Sequence, residues 1–107
     1  MIARIWTGAT RTEDAEAYEA YMHAEAMPGY RDTPGNRAVF MLRRDLDNGR
    51  TEFTMVTVWD DIAAVEAFTG PEVDKAVFFA KDEDYLVERD LVVRHYDVYG
   101  SSGLAGL

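Results

Sequence analysis

A chain of 107 residues, with 48% hydrophobic and 29% charged residues, has the size and composition of one globular domain. It contains no cysteine, which excludes disulfide scaffolds, thiol catalysis and cysteine-ligated metal, iron–sulfur or haem centres. Its 20 acidic and 11 basic residues give a net charge of −9, which disfavours binding to nucleic acid or anionic membranes. No apolar run approaches the roughly 20 residues that cross a bilayer, and the N-terminus lacks a signal-peptide pattern. These features predict a cytoplasmic protein whose partner is a small molecule, a second copy of the chain, or both.

The N-terminal part of the chain predicts a strand and then a helix. Residues 2–9 are rich in β-branched and aromatic side chains, which is typical of a strand. Thr12 is expected to cap a helix over residues 13–27. The apolar side of this helix carries Ala15, Tyr18, Tyr21, Met22 and Ala26. Glu25 falls within the same sector, where a carboxylate has to be paired, protonated or open to a cavity.

A β-hairpin is predicted next. An irregular loop over residues 28–35, with its Pro–Gly pairs, separates the helix from strands over 36–44 and 51–59. Between these strands the Asn–Gly pair at 48–49 favours a tight type I′ turn, because that turn needs two positive φ angles.

The second half of the chain predicts helical segments and a closing strand. Two helices, a helical turn and a strand are expected over residues 62–68, 72–80, 82–88 and 89–99 respectively. Asp60 or Asp61 is expected to cap the first of these helices. A single domain over 1–99 and a flexible tail over 100–107 follow. The element order βαββαβ predicts an α+β, ferredoxin-like fold, with helices on one face of an antiparallel sheet.

Both faces of the predicted hairpin are apolar. A two-residue turn at 48–49 places Phe40 opposite Thr57, and it also places Asp45 opposite Glu52, a like-charge pair that argues for a looser turn. Two helices cover only one face of the sheet, and each large apolar side chain left exposed forfeits roughly 1.5–3 kcal/mol of burial. The simplest remedy is a second copy, packed sheet to sheet in a twofold dimer.

These elements, taken together, resemble the antibiotic biosynthesis monooxygenase superfamily of dimeric α+β barrels. The matching features are the strand MIARIW, a Tyr-rich helix ending near Pro28, the turn Thr33–Asn36 before AVFMLRR, Trp59–Asp60 before a helix closing with Phe68, and His95–Tyr96 in the last strand. They extend over residues 1–99.

The resemblance implies a homodimer whose two sheets form a barrel, with a ligand pocket in each subunit between sheet and helices. Several members are oxygenases that need neither flavin nor metal and act on electron-rich aromatic or polyketide substrates, whereas others degrade haem. The haem-degrading branch uses an Asn on the first strand, a Trp in the second helix and a His one short helix later. In this chain those places hold Trp6 or Thr7, Phe68 and Phe78, so the resemblance does not extend to haem oxygenation.

His95 and Glu25 are the two candidate catalytic bases. His95 lies in the closing strand two residues before Asp97, and a neutral imidazole there could take a phenolic proton. The alternative is a structural histidine that makes one hydrogen bond. Glu25 could be a pocket base with a raised pKa, or a residue near the helix end whose carboxylate reaches water.

A substrate pocket is predicted around apolar and aromatic side chains. The predicted lining residues are Tyr18, Tyr21, Met22, Trp59, Phe68 and Phe78. Aromatic residues at these spacings also fit an ordinary core. His23 lies off the apolar sector and is expected at the surface, and no histidine spacing supports a metal site.

Four arginines lie on predicted strands, at positions 4, 43, 44 and 94. They are expected either to pair with the many acids or, for one of them, to stabilise a substrate enolate. The scattered glycines form no phosphate-binding loop, so no bound cofactor is predicted.

The sequence therefore favours a cofactor-independent monooxygenase acting on a small aromatic or polyketide-like substrate. Two alternatives stay open: a non-catalytic small-molecule-binding or stress-related dimer, and an isomerase or cyclase that uses acid–base chemistry in the same pocket.

Overall fold

The computed structural model describes residues 1–103. Its strands are Ile2–Arg11 (β1), Asn36–Asp45 (β2), Arg50–Trp59 (β3), Leu86–Arg89 (β4) and Arg94–Asp97 (β5). Its α-helices are Ala15–Tyr21 (α1), Met27–Arg31 (α2), Ile62–Thr69 (α3) and Asp82–Tyr85 (α4). A 3-10 turn, Thr12–Asp14, precedes α1, and a π-helical segment, Met22–Ala26, joins α1 to α2. Of the predicted tail 100–107, residues 104–107 lie outside the described residues, and the domain boundary at residue 99 stays a prediction.

The strands form one antiparallel sheet in the order β2-β3-β1-β4, and β5 also pairs with β1. This arrangement confirms the predicted α+β, ferredoxin-like fold. The helical turn predicted over 82–88 ends at Tyr85, and the chain continues from there as β4. The closing strand predicted over 89–99 is shorter than expected, since only Arg89 and β5 are strand within that range. Between β4 and β5 the chain leaves the sheet at Asp90. There the Asp90 carbonyl oxygen accepts a hydrogen bond of 2.9 Å from Trp6 Nε1, and the Asp90 amide donates to the carbonyl of Thr7.

The first helix is longer than the predicted 13–27. It continues through Pro28 to Arg31, at the end of α2. In a regular α-helix the ring of Pro28 would clash with the carbonyl four residues back. The π-helical segment widens the preceding turn, so that the Met27 amide donates to Met22 five residues back, and the proline is accommodated.

Of the two helix caps predicted from the sequence, one is present and the other is not. Thr12 does not cap the first helix, because it lies in the 3-10 turn and its amide donates to the carbonyl of Gly49. Asp61 caps α3 as predicted, and its Oδ1 accepts a hydrogen bond of 2.9 Å from the amide of Ala64.

The hairpin between β2 and β3 differs from the predicted register by one residue. Phe40 lies opposite Val56 and not opposite Thr57. The loop has three residues between Leu46 and Arg50, and the Leu46 amide donates to the Arg50 carbonyl at 2.8 Å. A three-residue loop needs only one residue in the left-handed region, whereas a type I′ turn needs two.

Gly49 is that residue, with φ of +78°, and no other residue of the loop has a positive φ. The shifted register also removes the like-charge contact that the sequence predicted. Arg44, and not Asp45, lies opposite Glu52, and its Nε donates to Oε1 of Glu52 at 2.9 Å.

Residues 71–80, the crossing segment, are not helical, although a helix was predicted over 72–80. Their backbone groups find partners far away in the sequence. Lys75 forms an isolated antiparallel bridge with Val92, and the Val93 amide donates to the carbonyl of Asp74 at 2.8 Å. Because these tertiary hydrogen bonds replace the local ones, local helix propensity does not decide the conformation of this segment.

The sheet has one covered and one open face. The covered face of β3 packs beneath the helices and buries Thr51, Phe53, Met55, Thr57 and Trp59. The open face carries apolar side chains from four strands, among them Ile5, Phe40, Leu42, Val56 and Tyr96. Leu42 is 50% exposed and Tyr96 is 49% exposed. The sequence thus predicted the apolar second face but misassigned which residues of β2 form it. The sheet-to-sheet dimer stays a prediction.

Within residues 1–103, no helix is both long enough and apolar enough to span a lipid bilayer. The cytoplasmic location stays a prediction.

Candidate functional site

Arg4 is a buried cation on the covered face of the sheet. β1 places it next to His95 on β5, and the residue is only 5% exposed. Its guanidinium donates to the carbonyl oxygen of Val73 from Nη1 and to that of Lys75, at 2.9 Å, from Nη2. Arg4 therefore ties the crossing segment to the sheet. Among residues 1–103 no carboxylate forms a salt bridge with it, so the expected ion pair is wrong for this arginine.

The other three arginines lie at the surface. Arg43 and Arg44 form the predicted ion pairs, each at 2.9 Å, with Glu16 and Glu52 respectively. Arg94 is exposed on the open face and has no ion pair within the described part of the chain.

The hydrogen bonds of His95 define its tautomer. Arg4 Nη1 lies 3.0 Å from His95 Nε2, and because a guanidinium can only donate, Nε2 must accept. The proton therefore sits on Nδ1, which donates to Oδ1 of Asp74 at 3.2 Å. Burial and the neighbouring Arg4 charge lower the pKa of His95, and Asp74 opposes them. The imidazole is neutral, and the lone pair that a base would use is occupied by Arg4.

A small, partly open cavity lies between the sheet and the helices, in the position that the family resemblance implied. We call it the inner cavity. Its walls are Arg4, Trp6, Tyr18, Met22, Tyr30, Phe68, Val77, Phe79, Asp82 and Val93. The volume is about 20 Å³, which is room for a water molecule or a single oxygen-containing group. Tyr30 and Phe68 stack with ring centroids 4.8 Å apart and close one side of it.

Two polar groups in the wall of the inner cavity have no well-formed hydrogen bond. The Tyr18 hydroxyl and Asp82 Oδ1 are both buried; the two side chains lie close enough to interact, but neither atom makes a hydrogen bond of good geometry within residues 1–103. Oδ2 of Asp82 accepts a hydrogen bond of 2.7 Å from the Phe79 amide, which fixes the carboxyl group. Burial raises the pKa of Asp82, although the Phe79 hydrogen bond, the nearby Tyr18 hydroxyl and the Arg89 charge oppose the shift.

The tyrosine hydroxyls around the inner cavity are held neutral. Burial, followed by the nearby Asp82 charge, raises the pKa of Tyr18 above its usual value. Burial also raises the pKa of Tyr30 to about 12, against the opposing effect of Arg4. Both hydroxyls therefore remain protonated at neutral pH and are available as hydrogen-bond donors.

A second, larger space adjoins the inner cavity. This methionine groove, of about 160 Å³, lies between the first helix and strands β2 and β3. It is lined by Tyr18, Glu19, Met22, His23, Met27, Met41, Leu42, Arg43, Phe53 and Met55. An apolar cavity of about 150 Å³ is large enough for benzene. Tyr18 and Met22 line both spaces and form the partition between them.

Three of the six predicted pocket residues line the inner cavity: Tyr18, Met22 and Phe68. The other three, Tyr21, Trp59 and Phe78, line neither space. Trp59 is fully buried core, and its Nε1 donates to Oγ1 of Thr57 at 2.9 Å.

Tyr21 and Phe78 hold neighbouring segments in place. The Tyr21 hydroxyl accepts a hydrogen bond of 3.0 Å from the Lys81 amide, just before α4. Phe78 packs edge-on against Trp6 with centroids 6.4 Å apart, and Arg89 lies over its ring. Their predicted contact with substrate is untested, and in this structure each has a packing role.

Glu25 and His23 are both exposed. The expectation that Glu25 falls within the apolar sector is wrong, because a π-helix turns less per residue than an α-helix and rotates this position outward. Glu25 lines neither space, and its role as a base stays a prediction. His23 lies at the surface as expected, at the rim of the methionine groove. Residues 1–103 contain no cluster of three or more His, Asp or Glu side chains that could hold a metal ion.

Sequence reasoning missed Asp82 and Tyr30 as site residues. Asp82 belongs to an acidic run that predicts a solvated surface, and its burial depends on contacts with a helix some 60 positions earlier in the chain. Tyr30 stands in a segment predicted to be a loop, so no helical periodicity pointed to it. A longer helix would have continued the apolar stripe through Ala26 to Tyr30, and that four-residue spacing was the available signal.

The fold matches several solved structures over nearly its whole length. A provisionally assigned antibiotic biosynthesis monooxygenase from Bacillus cereus shares 14% identity with a TM-score of 0.67, covering 96% of this chain and 97% of that one. The haem degrader MhuD from Mycobacterium tuberculosis, with two haems bound, shares 18% identity with a TM-score of 0.65, covering 96% and 100%. HapK from Hahella chejuensis shares 17% identity with a TM-score of 0.65, covering 99% and 100%. At these identities the similarity establishes the fold alone.

The family assignment comes from the sequence itself. No curated protein matches the chain significantly. The model of the antibiotic biosynthesis monooxygenase family matches residues 1–77, which is most of the chain and includes β1 to α3 together with part of the crossing segment. The chain therefore belongs to the antibiotic biosynthesis monooxygenase family.

Proposed function

We propose that this protein is a cofactor-independent monooxygenase that oxidises a small electron-rich aromatic substrate. The observation that carries the proposal is the buried Arg4 guanidinium in the wall of the inner cavity, beside aromatic rings and an unpartnered carboxylate oxygen. Such a site can take a proton from a hydroxyl group and hold the resulting anion. An anionic, electron-rich ring is the species that reacts directly with oxygen.

The overall reaction balances without a cofactor. A phenol loses its hydroxyl proton, and the ring carbon opposite the oxygen forms a bond to O₂. Loss of the hydrogen on that carbon and cleavage of the O–O bond then leave a quinone and one molecule of water. The substrate supplies all four electrons, so that one oxygen atom enters the product and the other leaves as water. The protein contributes orientation, exclusion of water and stabilisation of the anion.

Arg4 retains donors for this role. Nη1 uses its two hydrogens on Val73 and His95, and Nη2 uses one on Lys75. The second hydrogen of Nη2 and the one on Nε are not committed to these partners. His95 remains the base predicted from the sequence, but it could act only after Arg4 releases Nε2.

The residues present do not fit haem, although a haem degrader shares the fold. The inner cavity of about 20 Å³ does not admit a porphyrin. The chain has two histidines, of which His23 is exposed and His95 is bonded through both ring nitrogens. No step through haem is therefore proposed.

The test is oxygen consumption by the purified protein with a panel of phenols of one to three rings that carry a hydrogen opposite the hydroxyl group, without added cofactor. We expect one O₂ consumed per quinone formed, and no hydrogen peroxide. Addition of a metal chelator should leave the rate unchanged. No oxygen uptake with any member of the panel would contradict the proposal.

A non-catalytic binding protein is the second candidate, and the small volume of the inner cavity favours it. A ring enters that cavity only if the partition of Tyr18 and Met22 moves. Ligand binding without oxygen uptake would select this candidate. Conversion of the ligand under strictly anaerobic conditions would select the isomerase or cyclase alternative instead.

We also propose that two copies assemble through their open sheet faces. Val56 lies at the middle of that face, between Ile5 of β1 and Phe40 of β2. Apolar side chains on three adjacent strands form a continuous patch, and burying it against a second copy removes it from water.

A further inference from the structure

We infer that Asp82 and Tyr18 form an oxygen-binding subsite that receives the hydroxyl group of a phenolic ligand, with Asp82 Oδ1 as the acceptor of its proton. The inference rests on the proposed function for the class of ligand. The pair itself is a feature of the structure, and it can be tested without any turnover.

The carboxyl group of Asp82 is fixed, and only one of its oxygens is occupied. The residue is 3% exposed, and its Oδ2 accepts the hydrogen bond from the Phe79 amide at 2.7 Å. Oδ1 is buried and makes no well-formed hydrogen bond within residues 1–103. A buried carboxylate oxygen without a donor is costly, so the site gains stability from any ligand that brings a hydroxyl group to it.

Tyr18 provides the matching donor. It is 1% exposed, and its ring is held edge-on against Phe53 with centroids 4.9 Å apart. Its hydroxyl group lies close to the Asp82 carboxyl group but makes no well-formed hydrogen bond with it. A phenolic oxygen in contact with both residues would donate its hydrogen to Asp82 and accept the hydrogen of Tyr18. The single new group would then satisfy both orphaned atoms.

The volumes indicate what kind of molecule fits. About 20 Å³ beside the pair accommodates one hydroxyl group and not a ring. The adjoining methionine groove of about 160 Å³ accommodates a single aromatic ring between polarizable thioether side chains. Tyr18 and Met22 separate the two spaces, so their side chains have to move for one ligand to reach both. The ligand is therefore a compact phenol, with its ring in the groove and its oxygen in the inner cavity.

Proton transfer to Asp82 leaves a charge distribution that the site can hold. The O–H bond of the phenol breaks, a new O–H bond forms on Oδ1, and the electron pair stays on the phenolate oxygen. The carboxyl becomes neutral, which its buried position favours, since burial raises the pKa of Asp82. The phenolate then faces the Tyr18 hydroxyl and the Arg4 guanidinium in the same cavity.

The experiment uses 4-nitrophenol as the probe, because its phenolate absorbs visible light at wavelengths where the neutral phenol does not. At a pH where the free probe is mainly neutral, wild-type protein should bind it as the phenolate. Asp82→Asn keeps the shape of the side chain but removes its basicity. We expect that variant to bind the probe in the neutral form and roughly tenfold or more weakly.

Two further variants and one control complete the test. Tyr18→Phe should weaken binding by roughly tenfold, since it removes the hydroxyl donor. Asp84→Asn changes an exposed carboxylate on the same short helix and should bind like wild type. If Asp82→Asn does not fold, infrared difference spectra of the wild-type protein decide the matter: a protonated carboxyl band should appear when the probe binds.

The inference is overturned if wild type does not bind the probe, or if no carboxyl band appears. It is also overturned if Asp82→Asn still binds the phenolate with unchanged affinity, or if His95→Gln abolishes the phenolate signal while Asp82→Asn retains it. The proposed function fails separately. If the probe binds as expected but no substrate gives oxygen uptake, the subsite is supported and the monooxygenase function is contradicted. If oxygen uptake persists in Asp82→Asn, the monooxygenase function is supported and the role of Asp82 is contradicted.

Discussion

The two faces of the sheet each depart in part from the usual distribution of polarity. The covered face, beneath the helices, buries Arg4, Thr10, Thr51 and Thr57 along with its aromatic residues. The open face carries mostly apolar side chains, such as Leu42 and Tyr96, that are about half exposed. Buried polar groups cost free energy unless they are satisfied, and exposed apolar patches forfeit it.

Each face therefore has a feature that does not favour the stability of a single copy: a buried cation on the covered face and an exposed apolar patch on the open face. Each feature indicates a function. Arg4, the buried cation of the covered face, lines the inner cavity, which is what a site for chemistry requires. The threonine hydroxyls of that face form hydrogen bonds within the fold instead. The apolar patch of the open face is what an assembly surface requires.

The largest effect is expected from a charge placed on the open face. Val56→Glu inserts a carboxylate at the middle of the proposed interface, and a twofold dimer would bury two of them unpaired. The dimer dissociation constant should rise at least about 100-fold by analytical ultracentrifugation. Ala17→Glu, on the exposed side of α1, is the matched control and should leave assembly unchanged. Equal dissociation constants for both variants would contradict an interface on this face.

A smaller but clear effect is expected from removing the buried cation of the covered face. Arg4→Met leaves the carbonyl groups of Val73 and Lys75 without their donors. The free energy of unfolding should fall by about 3 kcal/mol, measured by urea denaturation at one fixed protein concentration. Arg11→Met changes an exposed arginine on the same strand and should stay within about 0.5 kcal/mol of wild type. A similar loss in both variants would mean that Arg4 does not anchor the crossing segment.

The smallest effect is a dependence of stability on pH that comes from His95. Burial and Arg4 lower the pKa of this imidazole in the folded state, so the unfolded chain binds more protons below the ordinary histidine pKa of about 6.5. The stability that neutral His95 contributes is fully present above about pH 6.5 and is lost as the pH falls through the lowered folded value.

Urea denaturation between about pH 7.5 and 5 should show this decline in wild type and a flatter profile in His95→Gln. His23→Gln removes an exposed histidine and should keep the wild-type profile. If His95→Gln and wild type have the same pH dependence, Arg4 does not hold His95 in its neutral form.

The site could be predicted from the sequence only in part. Tyr18, Met22 and Phe68 were found because apolar spacing on a helix fixes which side faces the sheet. Glu25 was misplaced because the helix was expected to end at residue 27, so the wider turn that accommodates Pro28 and rotates Glu25 outward was not anticipated. Asp82 was missed because an acidic run predicts a solvated surface, whereas its burial depends on packing against the first helix.

Sequence patterns alone predicted the strands and helices through α3, the apolar character of both sheet faces and the family, because hydrophobic periodicity and turn residues act over short distances. The tertiary structure decided the hairpin register, the irregular path of the crossing segment and the grouping of Arg4, His95 and Asp82 near one cavity. These features arise from contacts between residues far apart in the chain, such as the donation from Arg4 to Val73 and Lys75. A local sequence pattern does not predict such a contact, because the two residues meet only when the rest of the chain has folded around them.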